Sequence, residues 1–146
     1  MVDQRERVRD TITRYLRLCD VPRADGERGE LAELFTDDVV WEGVGTTYAD
    51  KFGATRGRQA VVDMVGSYLP PNPHFESNVH ILGQGTIEVN GASAAGCWLM
   101  QQISHYRTGE RELMVARLEV DFLLTPRRAL ISHFRTQRLT EAALPG

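Results

Sequence analysis

Asp20 and the four histidines, His74, His80, His105 and His133, are the side chains best placed to move a proton. Asp20 follows Leu16 by four residues, so it falls at the edge of an apolar helical stripe and not on the Arg-rich side. A carboxylate there must be paired or hydrogen-bonded, because an isolated charge in apolar surroundings is costly. The bland alternative is an Asp that meets solvent or structures the turn before Pro22. In a regular strand Asn78, His80 and Leu82 share one face, together with His74. A neutral imidazole accepts a proton at one nitrogen while the other donates to a carboxylate. A half-buried histidine satisfied by backbone is the competing account for His80, and His74 is its rival as base. His105 stands near a strand end, and His133 reads as structural. Tyr15 lies within the stripe, where a buried phenol keeps its hydroxyl paired and either lines a pocket or packs.

Other chemistries lack their signatures. The chain has no Gly-rich phosphate loop, no G-x-S-x-G elbow and no His or Cys cluster at metal spacing. Acid–base groups acting without a metal or cofactor are what remain.

The elements that must position these groups are legible in the periodicity. Val8, Ile12, Tyr15, Leu16 and Cys19 define one face of a helix from about Asp3 to Asp20, which Pro22 and Gly26 close. A short second helix is expected at Leu31, Leu34 and Phe35. Thr36-Asp37-Asp38 then turns into a strand, Val39 to Glu42. The segment from Gly43 to Thr55, with three glycines and no clear period, reads as a loop. Val61, Val65, Tyr68 and Leu69 mark a third helix, ended by Pro70, Pro71 and Pro73. Extended segments follow from His74 to Val89, with a bulge at Gly83-Gln84-Gly85. Asn90-Gly91 is a hairpin signal, and Ser93 to Tyr106 returns as a strand up to the turn at Thr108-Gly109. Met114, Ala116, Leu118, Val120 and Phe122 alternate with Arg117, Glu119 and Asp121 in the clearest strand of the chain. Pro126-Arg127 leads into a last strand, about Ala129 to Leu139.

Helices followed by an antiparallel meander give an α+β domain. Long bulged strands curl, helices cover the concave face, and a pocket is left between the layers. Of the large rings, Trp41, Tyr68 and Trp98 are the expected pocket walls, with Asn78 and His74 beside them. Arg117, Glu119 and Asp121 read as a solvated outer face or a subunit interface.

The bulk properties agree with one such domain. The chain has 146 residues, 42% of them hydrophobic and 25% charged, enough for one core and a modest cavity. Its 17 basic and 20 acidic residues are interspersed, so nucleic acid is not the expected partner. No apolar stretch approaches a membrane span, and the charged N-terminal segment lacks a signal-peptide core. Only Cys19 and Cys97 are present, which suits a reducing, cytoplasmic setting.

Three stretches carry a family resemblance. They are Tyr15-x4-Asp20 with Leu31-x2-Leu34-Phe35-Thr36-Asp37-Asp38-Val39-Val40-Trp41; His80-Ile81-Leu82 through Ile87-Glu88-Val89-Asn90-Gly91 to Ala94; and the following strand to His105-Tyr106. In this order the chain resembles the SnoaL-like branch of the nuclear transport factor 2-like superfamily, cone-shaped α+β proteins, over nearly its whole length. Those motifs point to the fold better than to a reaction, since members include dehydratases, isomerases, polyketide cyclases, an epoxide hydrolase and non-catalytic proteins. The likeness is greatest to the scytalone dehydratase-like arrangement, which implies catalytic roles for Asp20, His80 and His105, with Tyr15 as a further donor. The resemblance implies a cofactor-independent lyase, isomerase or cyclase acting on a cyclic, largely hydrophobic polyketide- or steroid-like substrate, and a homodimer. A non-catalytic binding or assembly module of the same fold is the alternative. Epoxide opening would require Arg117 and Asp121 to point inward.

Overall fold

Asp3 starts the first helix: its carboxylate accepts the backbone N–H of Arg5 at 3.1 Å. The computed structural model describes residues 3–24 and 26–145. Helix α1 spans Gln4–Cys19 and buries Val8, Ile12, Tyr15, Leu16 and Cys19, the stripe its sequence specifies. Asp20 ends it in an extended conformation, with its N–H bonded to the Arg17 carbonyl.

Leu31–Leu34 forms a single turn of 3₁₀ helix, and Phe35 already belongs to strand β1, Phe35–Gly43. The expected turn at Thr36-Asp37-Asp38 is thus a bulged part of that strand, where the pairing register shifts between Phe35 and Val40. The expected loop from Gly43 to Thr55 instead folds as helix α2, Gly45–Phe52, and a short strand β2, Ala54–Arg56. Gly43 makes this possible, since a Cβ there would sit 2.2 Å from the Tyr48 carbonyl oxygen. Gly45 opens the helix at φ +79°. Helix α3, Arg58–Gly66, follows, and Tyr68 and Leu69 lie in the turns just beyond it.

Four long strands complete the chain: β3 Phe75–Asn90, β4 Ser93–Tyr106, β5 Arg111–Leu124 and β6 Ala129–Ala143. The sheet order is β2-β1-β6-β5-β4-β3. All pairings are antiparallel except β1 with β6, which is parallel. Register shifts at Leu82/Gly85, Val115/Ala116 and Asp121/Phe122 insert bulges that let the sheet curl. The first of them falls on the Gly83-Gln84-Gly85 triplet.

The inner face of the sheet carries Ala94, Trp98 and Met100 of β4, Ala116, Leu118, Val120 and Phe122 of β5, and Ile131 and Phe134 of β6. They pack with α1 and α3 into one core. The architecture is an α+β cone, a curved and mostly antiparallel six-stranded sheet covered on its concave side by three helices.

Candidate active site

The segment leaving α1 is tied directly to β3. Val21 and Asn78 exchange backbone hydrogen bonds, each 2.8 Å, so residue 20 is held beside residue 80 despite the 60 positions between them. Asp20 Oδ1 lies 2.8 Å from His80 Nδ1 and also accepts the His80 backbone N–H at 2.9 Å. A carboxylate oxygen only accepts, so it pairs with Nδ1–H, and in the neutral imidazole this leaves Nε2 as the acceptor. Both side chains are largely shielded, Asp20 at 20% exposure and His80 at 9%.

His80 opens onto a cavity of about 130 Å³. Tyr15, Trp41, Tyr68, His74, Asn78 and His80 all line it, and Asp20 stands behind the imidazole. The walls are mainly aromatic. Trp41 stacks on Phe134 at 5.4 Å because the parallel β1–β6 register sets these two residues side by side. Phe52 meets Trp41 edge-on at 5.3 Å, and Tyr68 meets His74 at 5.1 Å.

Tyr15 accepts the Trp41 Nε1–H at 2.9 Å through its hydroxyl oxygen. Its own proton is held firmly: burial, with Cys19 adjacent, raises the phenol well above its ordinary pKa. Cys19, also on the wall, is pushed up to about 12 by burial and is therefore a thiol, not a nucleophilic thiolate. Asn78 anchors a polar strip, accepting Ser104 Oγ–H at 2.7 Å and Gln102 Nε2–H at 3.0 Å.

Two expected site residues lie elsewhere. His105 points to the outer face of the sheet, because successive strand residues alternate and its neighbours Ser104 and Tyr106 take the inner side. Trp98 faces inward but not into the cavity. Its indole lies along the sheet over Gly85 and Gly96, where an added Cβ would meet the ring at 2.1 Å, and it packs edge-on to Phe122 at 6.3 Å. Arg117, Glu119 and Asp121 belong to the outer face too, and Asp121 is bound to Arg135 at 3.0 Å. The inward carboxylate–arginine set that epoxide opening requires is therefore not assembled.

Several wall residues escaped the sequence reading: Lys51, Tyr48, Gln102, Tyr106, Met114 and Arg138. Arg138 was readable in principle, since Phe134, Thr136 and Arg138 share the inner parity of β6. Lys51 lies on α2, in the stretch whose sequence has no clear period. Tyr106, at the end of β4, donates to Glu112 Oε1 at 3.1 Å, and burial together with that carboxylate pushes it up to about 12.

Comparison with known proteins identifies the class. The sequence model of the SnoaL-like domain matches residues 1–135, and the chain belongs to that family. Among curated proteins none matches it in sequence. Solved structures share the fold at low identity. A type 2 hexachlorocyclohexane dehydrochlorinase, LinA, superposes with a TM-score of 0.77 at 18% identity, covering 97% of this chain and 89% of that one. A proposed scytalone dehydratase from Novosphingobium aromaticivorans gives 0.74 at 11% identity, over 97% and 87% of the two chains. A nuclear transport factor 2-like superfamily protein from Salmonella enterica gives 0.71 at 18% identity, over 92% and 90%.

Proposed function

We propose that the chain is a cofactor-independent acid–base enzyme of the lyase, isomerase or cyclase type, in which His80 removes a proton from a cyclic, largely apolar substrate. One observation carries this reading: the Asp20–His80 pair, 2.8 Å apart, stands at the wall of an aromatic cavity with Nε2 unclaimed by the carboxylate. Asp20 fixes the tautomer and stabilises the imidazolium that forms when a C–H proton beside a carbonyl or a leaving group is taken. Tyr15, whose oxygen already accepts from Trp41, keeps its proton to donate to an oxygen that gains charge. The Asn78–Gln102–Ser104 strip orients polar atoms of the substrate. Neighbours named for dehydrochlorination and dehydration, both eliminations, are in keeping with proton abstraction.

The test is hydrogen–deuterium exchange at the α-carbon of 1-tetralone in D₂O, followed by NMR. The wild type accelerates exchange, and Asp20→Asn and His80→Gln each lose most of the acceleration. The double variant is little worse than either single one, because groups acting as a unit are non-additive. Full exchange by His80→Gln would refute the role of the imidazole. Tight 1-tetralone binding without exchange in any variant would favour a binding module.

We also propose that the outer face of the sheet pairs with a second copy of the chain. Val79, Ile81, Leu99 and Ile103 lie there at 41–50% exposure on the neighbouring strands β3 and β4. An apolar patch of this kind on a sheet face is ordinarily covered. Sizing in solution decides it, with a monomer at micromolar concentration as the contrary result.

A further inference from the structure

Lys51, an exposed residue, and Arg138, a half-buried one, are two cations on the cavity wall, which includes no carboxylate among the described residues. Each rests on an aromatic ring of the same wall: the Lys51 ammonium is 5.1 Å from the centroid of Phe52, and the Arg138 guanidinium is 5.1 Å from that of Tyr48. The acidic groups of this region, Glu112 and Glu141, do not line the cavity. Glu141 binds Arg138 through Nη1, and Glu112 accepts from Tyr106. This pairing is incomplete. Arg138 Nε is buried with no hydrogen-bond partner, and Lys51 forms no ion pair among the described residues.

Burial, and then the nearby Arg138, lower the Lys51 pKa, and Glu112 and Glu141 offset this only in part. Burial likewise raises the Tyr48 phenol against the pull of Arg138, so Tyr48 stays protonated, its hydroxyl donating to Met114 Sδ, and supplies no counter-charge. A bound anion would supply what the wall lacks. Its oxygens could accept from Lys51 and from the guanidinium, in a setting where charge-assisted hydrogen bonds are strong.

We infer that the Lys51–Arg138 side of the cavity binds an anionic group, so that the substrate is a ring compound bearing a carboxylate or an equally acidic oxygen. The word substrate rests on the proton-abstraction reading of the same cavity, whereas binding of the anion does not. The aromatic walls hold the ring, the two cations hold the acid group, and His80 meets the carbon to be deprotonated.

The experiment compares two probes of matched shape, 2-naphthoate and 2-acetonaphthone, by calorimetry at pH 7. The wild type binds the carboxylate about tenfold or more tighter than the ketone. The double variant Lys51→Met/Arg138→Met removes that preference and changes ketone affinity by less than about twofold. Equal affinity in the wild type, or a preference surviving in the double variant, overturns the inference. If circular dichroism shows the double variant unfolded, Lys51→Met alone must cut the preference by about threefold or more, and no change overturns the inference. His80→Gln separates the two readings. A preference retained in this variant supports the cationic subsite even if 1-tetralone exchange was never His80-dependent, and a preference lost assigns the anion to the imidazole and overturns it.

Discussion

Two histidine–carboxylate pairs occupy opposite faces of the same sheet. On the inner face His80 and Asp20 meet at 2.8 Å, and on the outer face His133 and Glu42 meet at 2.6 Å. Paired groups and distances are nearly the same. Their surroundings are not. The inner pair is 9% and 20% exposed beside an aromatic cavity, while the outer pair is 29% and 28% exposed among Asp121 and Arg135 on an open strand face. A dyad is thus a site only where the walls exclude water and leave room for a ligand. The outer pair shows what the same two groups amount to as surface structure.

That contrast can be broken most directly by exchanging the two histidines in turn. His80→Gln lowers the 1-tetralone exchange rate by about 10²–10⁴-fold, the usual range for losing general-base help. His133→Gln leaves it within about twofold. Similar losses in both would end the distinction between the faces.

A second test separates the cavity from the packed end of the inner face. Gly96→Ala places a Cβ 2.1 Å from the Trp98 ring and costs about 1–3 kcal/mol of stability, read as a lower Tm. Exchange per folded molecule is retained, because Trp98 does not line the cavity.

The outer face gives a smaller and different response. Leu99→Lys shifts the chain to monomer on a sizing column, and since Leu99 is 50% exposed in the isolated chain, Tm falls only by what association contributed. His133→Gln costs about 1 kcal/mol in denaturant unfolding, as the loss of one half-buried hydrogen bond should.

The last effect is absent at neutral pH. Cys19 is raised from 9.0 to about 12, and Tyr106 from 10.0 to about 12. Both pKa values are higher in the folded state, so the folded chain holds protons that the unfolded chain gives up as pH rises. The stability contributed by these groups is complete below pH 9 and lost progressively towards pH 12. Cys19→Ala, measured by denaturant titration across that window, shows a shallower decline than the wild type. An equal slope would remove Cys19 as a source.

Much of this architecture was legible because it is locally encoded. The stripe Val8, Ile12, Tyr15, Leu16 and Cys19 repeats at helical spacing, and Met114 to Phe122 alternates with its charged neighbours. Asn90-Gly91 sits at the β3–β4 turn, with Gly91 at φ +63°. Helix α2 was not legible, because it depends on a long-range fit. Gly43 admits the Tyr48 carbonyl, and the Val44 N–H is claimed by Thr136 on β6, 92 residues later. With α2 hidden, Lys51 had no place on a wall. Resemblance suggested His105, whereas the alternation from Ala94 through Trp98 and Met100 to Ser104 places it outside. Trp98 failed as a wall for another reason: parity says which face a ring takes but not that two glycines let it lie flat.

What the sequence by itself determined was helix α1, the long strands and the face each residue takes within them, since helical and strand periods are properties of the local backbone. It also named the groups able to exchange protons. Tertiary structure alone decided which of them share a chamber. His80 reaches a carboxylate 60 residues away and His133 one 91 residues away, and only the curl of the sheet and the cover of the helices set the first pair against a cavity and the second against the outside. Contacts at such separations follow from strand register and layer packing, which no local period encodes.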